Sequence, residues 1–159
     1  MVRHQNGFTL TELMVVIAVV GIIALIATPN IVTGLPKYRL KSASNELASH
    51  MRKARSRAVK ERRIVRILFD TQKQQYSIDG EWFPRKGLPG HYGSGVAFGR
   101  GKAGAGSAVT FQGSPPRVTF NPQGLGNAGS VYLRNSRGGS YKITVNTAGR
   151  ISVSVAARQ

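Results

Sequence analysis

Gly7-Phe8-Thr9-Leu10-Thr11-Glu12, followed by the apolar run 13–27, is the stretch on which the reading of this chain turns. A polar head over residues 1–6 stops at Gly7, and beyond Glu12 the run carries no charge. Residues 8–27 make about 30 Å of helix at ~1.5 Å per residue, the thickness of a bilayer core. A long N-terminal helix with a transmembrane first half is therefore expected. An acid inside such a segment costs roughly 2.5–3.5 kcal/mol on insertion scales and calls for a partner. Cutting the chain after Gly7 would create one, because the new α-amine of Phe8 could answer Glu12 on a neighbouring copy.

The glycine, the aromatic, the acid at this spacing and the apolar run together resemble the processing and assembly signature of type IV pilins and type II secretion pseudopilins. The resemblance implies cleavage between Gly7 and Phe8 by prepilin peptidase and N-methylation of Phe8. It gives Glu12 the task of aligning subunits in a helical filament. Gly21 and Pro29 stand where filament pilins carry helix-softening residues, which implies a kink. It also implies a single-pass precursor in the bacterial inner membrane, with an extracytoplasmic C-terminal domain, that later enters an envelope filament. Charge alone argues for the reverse orientation, since Lys37, Arg39 and Lys41 outweigh Arg3 and the amino terminus. The leader motif is the more specific signal and sets the expectation.

Pro29, Gly34 and Pro36 predict a kink or local break, because each proline removes a backbone donor. A second helical stretch is expected over 37–62, where Leu40, Ala43, Leu47, Met51, Ala54 and Ala58 recur every three or four residues on one face. Glu46-Leu47-Ala48 and Ala54-Arg55-Ser56-Arg57-Ala58 resemble the helix of the GspH/FimT branch of minor pilins and pseudopilins. The period then changes to two, with strands expected over 64–69, 74–78, 108–111, 117–120, 131–134, 141–146 and 151–155. Residues 84–107 read as a glycine-rich loop, and the Val-Thr-Phe triplets at 109 and 118 as paired strands. The fold class is α+β, a pilin-like fold with the helix packed on antiparallel β-structure. The expected divisions are a leader over 1–7, a transmembrane and assembly helix over 8–36, and a soluble GspH/FimT-like domain over 37–159.

The chain carries 23 Lys and Arg against 6 Asp and Glu, a formal charge of +17, and none of the acids lies beyond Glu81. Such a surface repels its own copies and attracts polyanions. Tyr141 to Asn146 with Gly149 and Arg150 resembles the last strands of GspH/FimT proteins. FimT-like pilins of DNA uptake carry a Gly-Arg-x-Arg element there. Gly149 and Arg150 match, whereas Ser152 replaces the second arginine. Arg134, Arg137, Lys142, Gly149 and Arg150 form the candidate site for double-stranded DNA, in an alternative reading as a DNA-binding minor pilin. The first reading is a non-enzymatic subunit whose partners are the peptidase, other pilin or pseudopilin subunits and the inner membrane. No cofactor is expected. The letters Gly99-Arg100-Gly101-Lys102-Ala103-Gly104 match a dinucleotide fingerprint but lack its strand and helix. With no cysteine there is no thiolate metal site, and His50, His91, Asp79 and Glu81 have no catalytic context.

Overall fold

The computed structural model describes residues 8–93 and 95–156, and over 25–33 only the backbone. They divide into two compact units, the first ending at Leu35 and the second beginning at Pro36.

Helix α1 spans Leu10–Lys60 without interruption, so the two helical stretches expected on either side of Pro36 are one. The expected transmembrane first half is corrected by this structure. Among the described residues no helix is long and apolar enough to cross a membrane. The helix opens on Thr11 and the Glu12 carboxylate, polar groups that a hydrocarbon core does not solvate. The single-pass inner-membrane placement, with its extracytoplasmic C-terminal domain, loses its basis with the span.

In the second unit α1 turns one apolar face to two antiparallel sheets. Leu40, Ala43, Leu47, Met51, Ala54 and Ala58 are all buried, as their spacing predicts, and Ala48 joins them. The first sheet has the order β3-β2-β1-β5, from β1 (Val65–Asp70), β2 (Gln75–Ile78), β3 (Glu81–Phe83) and β5 (Arg117–Phe120). The second has the order β4-β6-β7-β8, from β4 (Ala97–Phe98), β6 (Gly129–Arg134), β7 (Ser140–Val145) and β8 (Ile151–Val155). Val65, Ile67 and Phe69 alternate inward along β1, and Val131, Leu133, Ile143 and Val145 do so across β6 and β7. These rows and the helix face share one core.

Three local expectations change. Residues 108–111 do not form a strand; Val109 makes a single bridge to Val131, while Val118 lies in β5 against Ile67. The twin triplets therefore belong to different sheets and do not pair. Asp79 and Gly80, at φ 50° and 92°, turn the chain into the short β3, which pairs with β2. The glycine-rich stretch carries α2 (Gly87–Tyr92), β4 and a 3-10 turn over Gly101–Ala103.

Candidate functional site

Helix α1 begins with a reciprocal cap. The Thr9 backbone N–H donates to Glu12 Oε2 at 3.0 Å and the Thr9 hydroxyl to the same oxygen at 2.9 Å. The Glu12 N–H donates back to Thr9 Oγ1 at 3.2 Å. This is a capping box, which satisfies donors that the first helical turn leaves orphaned. The bonds from the Thr9 backbone and hydroxyl hold the Glu12 carboxyl below its ordinary range. Phe8, 79% exposed, precedes the cap. Gly7 lies outside the described residues. Glu12 thus has a local partner in Thr9, which the sequence reading missed although Thr-x-x-Glu is itself the signal.

Beyond the cap, Leu13, Met14, Val15, Val16, Ile17, Val19, Val20, Ile22 and Ile23 are all exposed. Their positions run round every side of the helix rather than along one stripe, a pattern that belongs to helices buried by neighbours. A β-carbon added at Gly21 would meet nothing within 4 Å. Pro29 lies within the helix, and its side chain is outside the description.

The candidate basic residues do not converge. Arg134 and Arg137 flank the β6–β7 turn, and Gly149 and Arg150 close the β7–β8 turn at the other end of β7. A strand of that length separates them by roughly 20 Å. Lys142 sits midway, opposite Tyr132. Its Nζ lies 5.8 Å from the Tyr132 ring centroid, and the Arg100 guanidinium lies over the same ring at 4.3 Å. Arg100, Tyr132 and Lys142 thus make a cation–aromatic stack on the outer face of the second sheet, where Arg134 also emerges. Sequence spacing could not bring Arg100 there, because the contact spans the glycine-rich stretch. In that stretch Gly99 and Gly101 admit the Arg134 side chain, and the Lys102 N–H donates to the Gly138 carbonyl at 3.0 Å.

Two further groupings, one half-buried and one at the surface, have structural roles. His50 Nδ1 lies 2.7 Å from Tyr76 Oη, Tyr92 Oη donates to Glu46, and the Phe83 ring packs on His50. Burial lowers the His50 pKa, with Glu46 opposing and Lys53 assisting. At the end of α1, Arg63 bridges Glu61 and Asp79, at 2.6 Å to each. Asp79 is therefore held in an ion pair beside its turn. Among the described residues no group of three His, Asp or Glu could hold a metal ion.

The family profile for the type II transport protein GspH matches residues 43–149, most of the chain and nearly all of the second unit. The chain belongs to the GspH family. Members of this GspH/FimT-like family are structural pilin and pseudopilin subunits, not enzymes. The prokaryotic N-terminal methylation motif matches residues 2–28 of this GspH-family chain. The type II secretion system protein H of Xanthomonas campestris pv. campestris is 29% identical over 78 residues, covering 49% of this chain and 46% of that protein. The match thus spans about half the length of that relative. The minor pseudopilin EpsH of the Vibrio cholerae type 2 secretion system shares the fold, with TM-score 0.54 at 8% identity over 74% of this chain and 97% of EpsH. The Pseudomonas aeruginosa type IV minor pilin FimU aligns with TM-score 0.49 at 20% identity, over 76% of this chain and 91% of FimU.

Proposed function

We propose that this chain is a minor pilin or pseudopilin, a structural subunit of a type IV pilus or type II secretion filament. Prepilin peptidase removes residues 1–7, cutting between Gly7 and Phe8, and Phe8 is methylated. Residues 8–36 then serve as the assembly helix, with Gly21 and Pro29 as its points of bending, and 37–159 as the pilin domain. The carrying observation is an all-round apolar, exposed helix start joined to a domain with its own closed core. Such a helix is stabilised when neighbouring helices cover it. In that setting Glu12 answers the Phe8 amine of an adjacent subunit. The test is the mass of the chain purified from a host with and without prepilin peptidase. A chain starting at Phe8 and one methyl group heavier, only when the peptidase is present, is expected; a chain retaining residues 1–7 in both hosts overturns the reading.

A second reading has one observation in its favour, the basic outer face of the second sheet. Cations there would grip DNA phosphates without reading sequence. The grouping of Arg134 and Lys142 with Arg100 around Tyr132 supports this reading better than Gly149 and Arg150 do. Binding of duplex DNA that falls steeply with salt is expected to be lost in Arg100→Ala/Lys142→Ala and kept in Arg150→Ala. Absence of binding at low salt removes this reading and leaves the first.

A further inference from the structure

Each sheet has two edges, and among the described residues three of the four are closed. Asn127 stands in for a strand beside β5: its Oδ1 accepts from the Thr119 N–H at 2.6 Å and its Nδ2 donates to the Arg117 carbonyl at 2.9 Å. β4 is only 2 residues long, and its Phe98 N–H donates to Gln74 Oε1 at 2.5 Å. β3 is 3 residues long and runs into Pro84, which has no N–H to offer. Shortness, proline and covering groups are the usual protections of a sheet edge.

β8 has none of them. It is 5 residues long, and nothing in the sheet order lies beyond it. The Asn146 N–H donates to the Arg150 carbonyl at 3.1 Å and the Ala156 N–H to the Ser140 carbonyl at 3.0 Å. Those bonds set the parity of the ladder: Arg150, Ser152, Ser154 and Ala156 turn their backbone groups toward β7. The N–H and C=O groups of Ile151, Val153 and Val155 therefore point to the open edge. The side chains of these three residues carry the core out to the rim, where Ile151 and Val153 are half-buried and Val155 is 68% exposed. No proline or charge interrupts the strand.

We propose that β8 is a docking edge that receives an extended strand from a different, acidic subunit. Charge complementarity selects that occupant over a second copy. Exposed Arg150 begins the edge, and Lys142 stands one strand in, paired with Ser154. A second copy brings the same +17 and no acid beyond Glu81. A strand alternating apolar and acidic residues meets both needs: its apolar side chains continue the row of Ile151, Val153 and Val155, and its carboxylates face the cations. That the donor is a filament neighbour rests on the function proposed above; the open edge does not.

The test is amide hydrogen exchange of the full chain with two soluble peptides, Ac-EVETEVE-NH2 and its lysine counterpart Ac-KVKTKVK-NH2. The acidic peptide is expected to slow exchange at Ile151, Val153 and Val155 by about tenfold or more, with Ser152 and Ser154 already protected by β7. The basic peptide is expected to leave all five amides unchanged. Val153→Pro deletes an outward N–H and no bond to β7, so it should abolish the effect while Ser152 and Ser154 stay protected. Val155→Glu, at an exposed position, should weaken the effect by repelling the peptide, and serves if the proline variant does not fold. No slowing at the three outward amides, or equal slowing by the basic peptide, overturns the proposal. So does protection that grows with protein concentration alone, which would mark a second copy as the occupant. None of these outcomes bears on cleavage at Gly7, which the N-terminal mass reads separately.

Discussion

A β-carbon built on Gly149 would lie 2.0 Å from the carbonyl oxygen of Gly124. Gly149 also has φ +70°, a left-handed conformation that side chains resist. Arg55 of α1 fastens both loops there, donating from Nε to the Gly124 carbonyl at 2.8 Å and from Nη2 to the Ala148 carbonyl at 3.4 Å. The glycine of the Gly-Arg pair is thus required by close approach of two turns and by the helix that holds them.

That geometry separates the two members of the pair. Gly149→Ala should destabilise the fold by about 1–3 kcal/mol or more, from strain and the clash together. Arg150→Ala should change stability by no more than ~0.5 kcal/mol, since the exposed side chain is lost but the backbone bond to Asn146 remains. Urea unfolding midpoints of the two variants check the order. A neutral Gly149→Ala would show that the turns move apart without cost.

The helix face makes a second prediction. Met51 and Ala54 are both essentially inaccessible, one filling space and the other permitting close approach of the sheets. Met51→Ala should cost about 2–5 kcal/mol through the cavity it leaves. Ala54→Leu should cost about 1–3 kcal/mol through overpacking. Chemical denaturation measures both.

Much of this architecture was legible because periodicity reports burial. The three-and-four spacing from Leu40 to Ala58 named the buried helix face, and β8 fell on the span its alternation marked. What failed was information held between distant segments. Whether Val109-Thr110-Phe111 forms a strand depends on partners in β6, not on its own pattern. The Arg100–Tyr132 stack and the Arg55 clamp join residues far apart in sequence, so no local motif announces them. Helix α1 continues through Pro36 because a proline weakens but does not forbid a helix whose next turns are held by packing. At the amino end, Thr-x-x-Glu is a local signal for the cap that Thr9 and Glu12 form, alongside the assembly role expected of Glu12.

His50 gives a pH prediction. Its pKa is lowered from 6.5 in the folded chain, chiefly by burial, so protonation is more favourable in the unfolded state. Its contribution to stability is then complete above pH 6.5 and is lost as pH falls through the lowered folded value. His50→Gln keeps a polar group for Tyr76 but does not titrate. The stability difference between wild type and His50→Gln should be flat above about pH 7 and turn against wild type toward about pH 5. Denaturation at three pH values tests this, and a difference independent of pH contradicts it.

The cap and the assembly role of Glu12 can be separated, because glutamine satisfies a capping box as glutamate does while carrying no charge. The deciding measurement is the amount of processed chain recovered in sheared filaments for Glu12→Gln and for Thr9→Ala, each against wild type. Glu12→Gln is expected to be cleaved normally but absent from filaments. Thr9→Ala, which loses roughly 1 kcal/mol of cap and keeps the carboxylate, is expected to be incorporated. Wild-type incorporation of Glu12→Gln would contradict the claim that this carboxylate answers a neighbour's Phe8 amine.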